Sequence, residues 1–226
     1  MSAVFITGCN RGIGLALARL YAREGWTVHA TVRNPEQAGS IEALGDQVFC
    51  HTLDVSDSGN IRSLAKKLEG TAIDVLISNA GIYGKKLPLG SLEREEWLNV
   101  LSTNSISPLL LAQAFLPHVK ASHTKKLIAV SSKMGSIGDN SSGGSYIYRS
   151  SKAALNAAWV SLAHDLKKEG VIASILHPGW VRTDMGGPNA LISTEESAIG
   201  LKEVIQGLDL GGSGKFLDYA GKDIPW

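Results

Sequence analysis

Residues 7–14 read Thr7-Gly8-Cys9-Asn10-Arg11-Gly12-Ile13-Gly14, and they connect a β-branched run to a helical pattern. Val4 to Thr7 is the predicted first strand, and Ile13 to Glu24 is the helix predicted after it. Glycines at such a turn let backbone N–H groups approach a pyrophosphate at the helix N-terminus. The spacing differs from the G-x-G-x-x-G form, so a glycine turn with a purely structural role is the alternative.

The alternation of short β-branched runs with helical patterns continues along the whole chain. Further strands are predicted over Thr27 to Val32, Val48 to Val55, Ile73 to Ser78, Leu127 to Ser132, Ile172 to Leu176 and Lys215 to Tyr219. Further helices are predicted near Ile61 to Leu68, from an N-cap at about Ser91, from about Ser145 to Lys168, and after a capping box at Ser193 to Glu196. This alternation is typical of a parallel sheet wound with helices.

No linker, repeat or charge block divides the sequence into two domains. Right-handed crossovers make the doubly wound order the simplest topology for such a pattern. We therefore predict a single Rossmann-type α/β domain over residues 1–226, which both binds a dinucleotide and carries the catalytic groups. Its core is predicted to be a doubly wound parallel sheet of seven strands with helices on both faces.

The composition is that of a folded protein with little net charge. Of the 226 residues, 44% are hydrophobic and 19% are charged, which excludes a disordered chain. Lys and Arg number 22 and Asp and Glu 21, for a net charge of +1. This balance argues against nucleic acid or a membrane surface as the main partner.

Two cysteines, Cys9 and Cys50, cannot form a disulfide framework or a zinc quartet, so we expect a reducing compartment and no metal site. Because no signal peptide is readable at Met1, the cytoplasm is the expected location. The longest stretch without Asp, Glu, Lys or Arg is Trp97 to Val119. It contains Asn, Ser, Thr and Gln side chains that a lipid-facing span would leave unsatisfied, so we interpret it as a buried or interface helix.

The end of the second predicted strand bears on the choice of dinucleotide. In dinucleotide folds that prefer NAD, a carboxylate near this point accepts hydrogen bonds from the adenosine ribose. Here the strand ends with Arg33 and Asn34, and the first acid is Glu36. Arg33, together with Arg11 in the glycine loop, would instead offer forked cationic donors to a 2′-phosphate. NADPH is therefore favoured over NADH, although either arginine alone could be a solvated surface residue.

Tyr148 and Lys152 lie four residues apart near the start of a predicted helix, so they share one helix face. A nearby ammonium lowers the pKa of a phenol, which would make Tyr148 a usable proton donor or acceptor. Ser131 and Ser132 end the preceding predicted strand, at the carboxyl edge where open α/β sheets bind ligands. The alternative is that the tyrosine–lysine spacing is coincidental.

These motifs together resemble the short-chain dehydrogenase/reductase family over essentially the whole chain. The matching motifs, in the order of the family, are Thr7-Gly8-x-x-x-Gly12-x-Gly14, Asn79-Ala80-Gly81, Ser132, Tyr148-x-x-x-Lys152 and Pro178-Gly179. Cys9 to Gly12, Tyr148-Arg149 and Phe216 to Tyr219 are similar to the small carbonyl-reductase branch that includes Sniffer-type and C-factor-like proteins.

The resemblance implies a role for each matching residue. Ser132, assigned from the strand end in preference to Ser136, would polarise a substrate carbonyl, Tyr148 would exchange the proton, and Lys152 would hold the nicotinamide ribose. Asn104 would complete a proton relay, so the implied catalytic residues are Asn104, Ser132, Tyr148 and Lys152. The residues expected to bind NADP(H) are Gly8, Asn10, Arg11, Gly12, Ile13, Gly14, Arg33, Asp54, Val55, Asn79, Ala80, Gly81, Tyr148, Lys152, Pro178, Gly179, Val181 and Thr183.

The leading hypothesis is an NADPH-dependent oxidoreductase that moves hydride between nicotinamide and a carbonyl or secondary alcohol. Candidate substrate-pocket residues are Ile82, Tyr83, Lys133, Met134, Tyr146 and Trp180, which loosely fit a hydrophobic aldehyde or ketone. A dinucleotide-binding sensor or C-factor-like signalling protein with little turnover is the rival. An epimerase or dehydratase acting on nucleotide sugars would need a further substrate lobe, for which 226 residues leave no room.

We also expect a homodimer or homotetramer. The uncharged stretch Trp97 to Val119 and the helix with Tyr148 are predicted to form its interface, because the family commonly pairs these two helices. Burial of the same stretch within one monomer is the alternative.

Overall fold

The computed structural model describes residues 2–226. Its strands are β1 (Ala3–Ile6), β2 (Thr27–Val32), β3 (Val48–Thr52), β4 (Val75–Ser78), β5 (Lys126–Val130), β6 (Ile172–His177) and β7 (Phe216–Asp218). Its α-helices are α1 (Gly12–Arg23), α2 (Gly39–Glu42), α3 (Ser58–Lys67), α4 (Arg94–Leu101), α5 (Ser107–Lys120), α6 (Tyr146–Leu166) and α7 (Thr194–Gly207).

Within residues 2–226, seven strands form one parallel sheet in the order β3-β2-β1-β4-β5-β6-β7. The chain winds outward from β1 in one direction and then, from β4, in the other. This order confirms the predicted doubly wound Rossmann-type sheet. Its switch point lies between β1 and β4, where open α/β sheets bind ligands at the carboxyl edge.

Helices cover both faces of the sheet, as predicted. Val4 and Ile6 of β1 lie in one hydrophobic cluster together with α1 and α7. Phe5, between them, lies in the other cluster with Phe115 of α5 and Trp159 of α6. Because successive strand residues point to opposite faces, this alternation shows that β1 is buried on both sides.

Several predicted boundaries differ from the structure because local side chains end or begin the elements. The predicted N-cap at Ser91 is wrong: its backbone N–H closes a turn onto Pro88, and α4 begins only at Arg94. The third strand ends at Thr52 rather than Val55, since Asp54 accepts hydrogen bonds from the backbone and hydroxyl of Ser56. The capping box at Ser193 and Glu196 is confirmed.

The long helix expected from Ser91 is interrupted. A π-helical turn over Ser102–Ile106 separates α4 from α5. Such turns are rare and occur often at functional sites. Among residues 2–226, no helix combines the length and apolarity that crossing a membrane requires.

Candidate active site

The glycine loop between β1 and α1 is folded tightly against the end of β4. Gly8 has a φ of +72°, and a Cβ there would lie 3.0 Å from the Cα of Ala80. A Cβ at Gly14 would overlap the carbonyl oxygen of Gly8. The residue before α1, Arg11, makes no side-chain capping hydrogen bond. The first N–H groups of the helix therefore keep their donor capacity for an anion, so the loop fits a dinucleotide pyrophosphate.

The loop is joined to the segment after β4 by hydrogen bonds. The Thr7 hydroxyl oxygen accepts from the backbone N–H groups of Asn79 and Ala80, each at 3.0 Å. The Asn79 amide donates to the carbonyl oxygen of Thr7 at 2.9 Å. These contacts place Asn79, Ala80 and Gly81 beside Gly8, at the switch point of the sheet.

At the end of the cleft next to β2 lie Arg33 and Asp54. Arg33 is exposed at the end of β2. The Ser56 hydroxyl, and to a smaller extent the charge of Arg33, lower the pKa of Asp54. Val55 is half-buried next to Asp54, and the Asn10 amide donates to the Gln37 side chain at 2.9 Å.

Arg11 lies in a different setting from Arg33. Its guanidinium forms an ion pair with the carboxylate of Asp184, 173 residues further along the chain. Gly12 also lies close to the segment that contains Asp184, since a Cβ at Gly12 would be 3.4 Å from the Thr183 methyl carbon. Arg11 therefore joins the glycine loop to the segment after β6, whereas Arg33 forms no ion pair within residues 2–226.

Tyr148 and Lys152 lie on the first turns of α6, facing the end of β5. The two residues are 7% and 5% exposed. The Lys152 ammonium lies 5.9 Å from the centroid of the Tyr148 ring and donates to the carbonyl oxygen of Val130 at 3.0 Å. Ser132, two residues past β5, accepts from the Met134 backbone N–H at 3.2 Å. The Ser132 hydroxyl lies close enough to the Tyr148 phenol to lower its pKa, so the structure brings Ser132, Tyr148 and Lys152 together.

Burial has the largest effect on the pKa values of Tyr148 and Lys152. It raises the pKa of Tyr148 to about 12, and the opposing effect of the Ser132 hydroxyl is smaller. Burial also lowers the pKa of Lys152 to about 8. The expectation that Lys152 lowers the pKa of Tyr148 is therefore wrong for this structure. Loss of water around the phenol is the larger effect, and the ammonium is directed at the Val130 carbonyl oxygen.

Asn104 lies in the π-helical turn and is 1% exposed. Its amide donates to the carbonyl oxygen of Ile82 at 2.8 Å and to the Ser151 hydroxyl at 3.0 Å. Its side-chain oxygen accepts from the backbone N–H of Ile82 at 2.9 Å. Asn104 thus connects Ile82 to Ser151 of α6, and both its side-chain nitrogen and its side-chain oxygen are hydrogen-bonded.

The segment after β6 forms the opposite wall. Pro178, Gly179, Val181 and Thr183 were the residues predicted there, and they follow β6 directly. Gly179 has a φ of +88°, and a Cβ there would lie 2.6 Å from the Ile192 side chain. The Thr183 hydroxyl accepts from the Gly186 backbone N–H at 3.1 Å. This turn carries Met185 to the Tyr148 phenol, whose oxygen lies 3.9 Å from the sulfur.

The candidate pocket residues are only partly brought together. The Tyr83 ring stacks on Tyr148, and its hydroxyl lies 3.8 Å from the Met134 sulfur. Tyr146 and Trp180 are 38% and 50% exposed. Lys133 pairs with Asp139 at 3.1 Å, and the backbone of Ile82 is bound to Asn104.

The contact of Met185 with Tyr148 and the Arg11–Asp184 ion pair are not predictable from the sequence. Met185 follows Thr183 and Asp184 in a loop without any periodic pattern. The partners in both contacts are far apart in sequence, so no local spacing could have indicated them.

Comparison with known proteins shows the same architecture and sequence pattern. Carbonyl reductase Sniffer of Drosophila melanogaster superposes with a TM-score of 0.94 at 36% identity, over 100% of both chains. NADPH-bound carbonyl reductase from chicken fatty liver superposes with a TM-score of 0.93 at 33% identity, over 100% of this chain and 99% of the other. The protein named C-signal of Myxococcus xanthus is 41% identical over 166 residues, which are 74% of this chain and all of the relative.

The sequence profile of the short chain dehydrogenases matches residues 2–191, which include the glycine loop, α6 and the turn after β6. The profile match, the shared fold and the placement of these motifs all indicate the same family. This protein belongs to the short-chain dehydrogenase family.

Proposed function

We propose that the protein is an NADPH-dependent carbonyl reductase with Tyr148 as its general acid. The observation that carries the proposal is the convergence of Ser132, Tyr148 and Lys152 at the carboxyl edge of the sheet, next to the glycine loop. A nicotinamide held in this cleft would supply the hydride. The substrate class is a hydrophobic aldehyde or ketone, or the corresponding secondary alcohol in the reverse direction.

Each side chain has a distinct task in this proposal. The Ser132 hydroxyl donates a hydrogen bond to the substrate carbonyl oxygen and polarises it. Tyr148 donates its phenolic proton to the same oxygen as negative charge develops there. Lys152 holds the ribose hydroxyls, and Asn104 fixes the turn that faces Lys152 from the other side.

The ionisation state of the site is compatible with Tyr148 as the proton donor. Burial raises the pKa of Tyr148 to about 12, so the phenol carries its proton at neutral pH. A Lys152 pKa of about 8 keeps much of this side chain charged at neutral pH.

NADPH is the proposed cofactor rather than NADH. Arg33 is exposed at the end of β2, where no carboxylate lies on the strand to receive ribose hydroxyls. Asp54, whose pKa Arg33 lowers, would lie beside the adenine. The NADPH-bound state of the chicken reductase and an NADP-bound relative from Burkholderia multivorans support the same choice.

The pocket favours an apolar substrate. Tyr83 stacks on the Tyr148 ring, Met185 lies against its phenol oxygen, and Met134 lies against the Tyr83 hydroxyl. Aromatic and thioether groups offer polarisable contacts with little demand for polar partners. Trp180 adds a half-exposed aromatic surface at the entrance.

One experiment tests this proposal in two steps. The purified protein is titrated with NADPH and NADH, and a panel of aromatic and aliphatic aldehydes and ketones is then screened for NADPH oxidation. We expect tighter binding of NADPH and turnover of at least one apolar carbonyl. Equal affinities would contradict the cofactor assignment, and a lack of turnover across the panel would contradict the enzyme assignment.

A dinucleotide-binding signalling protein is the second candidate function. It is favoured by the 41% identity to the protein named C-signal. In that case NADPH would bind with the expected affinity while no carbonyl is reduced. The intact Ser132, Tyr148 and Lys152 arrangement favours the enzyme, because binding alone does not need a general acid.

We propose that the protein forms a homodimer or homotetramer in the cytoplasm, with α4, α5 and α6 at the interface. Two apolar residues near this interface are partly exposed: Leu98 of α4 is 43% exposed, and Ile106 of the π-helical turn before α5 is 54% exposed. The two cysteines remain the basis for the cytoplasmic assignment.

A further inference from the structure

The end of β5 is attached to α6 at two levels. At the first level, Lys152 donates to the carbonyl oxygen of Val130 at 3.0 Å. At the second, one helical turn later, the Ser131 hydroxyl donates to the side-chain oxygen of Asn156 at 2.7 Å. Both members of this second contact, the Ser131–Asn156 pair, are 3% exposed. Ser132 is the next residue after Ser131, so the pair lies directly behind it.

The turn that follows Ser132 packs closely against α6 near Lys152. A Cβ at Gly135 would lie 2.8 Å from the backbone carbon of Lys152 and 3.1 Å from the backbone nitrogen of Ala153. Ser132 therefore sits between two contacts with α6, the Ser131–Asn156 pair before it and Gly135 after it. The position of Ser132 along the axis of α6, relative to Tyr148, therefore depends on both contacts.

Asn156 is an unfavourable residue for a purely structural position. Its side-chain nitrogen is buried and has no hydrogen-bond partner within residues 2–226. A buried unpaired amide group destabilises the fold, whereas a leucine of similar volume would carry no such cost. The amide is useful here only through its oxygen, which receives the Ser131 hydroxyl.

We propose that the Ser131–Asn156 pair consists of positioning residues that set the distance between the Ser132 hydroxyl and the Tyr148 phenol. The pair touches neither substrate nor reacting atoms and acts through Ser132 and α6. This inference rests on the proposed carbonyl reduction, because it assigns the pair to the geometry of the same site. Displacements of about 1 Å in such sites can lower rates by around a hundredfold.

The test compares two variants of the pair with a matched control. Ser131→Ala removes the donor, and Asn156→Leu removes the acceptor at nearly constant volume. Ser174→Ala is the control, since the Ser174 hydroxyl is also fully buried and donates to the Gly212 carbonyl oxygen at 2.8 Å, away from the site. Thermal unfolding of all three measures the purely structural cost of losing one buried hydrogen bond.

We expect kcat for carbonyl reduction to fall roughly 10- to 100-fold in Ser131→Ala and Asn156→Leu, with KM and the NADPH dissociation constant changed less than about threefold. The double variant should lose no more activity than the less active of the two single variants, because both substitutions remove the same contact. The pH profile of kcat should shift in both, since Ser132 acts on the pKa of Tyr148. Ser174→Ala should lower the unfolding temperature but leave kcat and its pH profile unchanged.

A wild-type kcat in Ser131→Ala, or a loss no larger than that of Ser174→Ala, would overturn the positioning role. Failure of the proposed function is distinguishable, because the wild type itself would then turn over no carbonyl. In that event the inference falls together with the proposed function, because there is no carbonyl reduction whose geometry the pair could set.

Discussion

The Tyr83 ring lies face to face on the Tyr148 ring, with centroids 4.4 Å apart and planes inclined by 14°. The Tyr83 hydroxyl is held 3.0 Å from the hydroxyl of Ser145, the residue that precedes α6 and has a φ of +47°. Tyr83 therefore covers the proposed acid and helps to exclude water from it. That exclusion raises the pKa of the phenol above its ordinary value of about 10.

Replacing Arg33 by alanine should reduce the preference for NADPH. A charge-assisted contact with phosphate is worth about 1.5 to 3 kcal/mol, so NADPH affinity should fall roughly ten- to a hundredfold. NADH affinity should stay nearly constant because NADH carries no 2′-phosphate. Fluorescence titration with both cofactors measures the two constants, and a parallel loss for NADH would assign Arg33 to a general structural role.

Arg11→Ala should behave differently from Arg33→Ala, because Arg11 is paired with Asp184. The partners are 71% and 74% exposed, so the unfolding temperature should hardly change. Any change in affinity should be the same for NADPH and NADH. Arg94→Ala is the matched control, since Arg94 forms an equally exposed pair with Glu95. A loss of affinity for NADPH alone would contradict this prediction and assign Arg11 to binding of the 2′-phosphate.

Acid should destabilise the edge of the sheet that carries Arg33 and Asp54. His29 of β2 and His51 of β3 lie 3.0 Å apart, between the nitrogens Nδ1 and Nε2. Burial, followed by the nearby His118, lowers the pKa of His29. Burial, followed by His29 and then Lys67, lowers the pKa of His51 to about 4.

The unfolded imidazoles take up protons near their usual pKa of about 6.5, well before the folded ones do. The unfolding temperature should therefore fall as the pH decreases from about 6.5 to 4. His51→Gln should weaken this dependence, while His123→Gln, at an exposed position, should not. His29 contributes to the remaining slope, as does His177, whose pKa burial lowers to about 4. An unchanged slope in His51→Gln would contradict this assignment.

The assembly prediction concerns α4, α5 and α6, together with the π-helical turn that ends at Ile106. Sedimentation at micromolar concentration should give at least twice the 23.9 kDa of one chain. Ile106→Glu should shift the distribution towards the monomer, because a buried charge would then face the interface. A monomeric wild type at this concentration would contradict the predicted assembly.

Local patterns were sufficient to predict the sheet topology, the glycine loop and the common face of Tyr148 and Lys152. Each depends on periodicity or on glycine spacing within a short stretch. The π-helical turn around Asn104 could not be predicted, since its hydrogen bonds to Ile82 and Ser151 come from segments distant in sequence. The pKa of Tyr148 was missed for a related reason, because the burial that raises it comes from the folded surroundings.

Tyr148→Phe is the most direct test of the proposed mechanism. The substitution keeps the ring that stacks on Tyr83 and removes only the hydroxyl, so folding and NADPH binding should be retained. General acid catalysis is commonly worth about 10²- to 10⁴-fold, and turnover should fall by at least that range. Lys152→Ala is the comparison, because it should weaken NADPH binding as well as turnover.

The decisive measurement is therefore the rate of NADPH oxidation by Tyr148→Phe with a carbonyl that the wild type reduces, recorded beside the NADPH dissociation constant. We predict a rate lower by a factor of at least about a hundred at an unchanged dissociation constant. A variant that keeps most of the wild-type rate would contradict Tyr148 as the general acid.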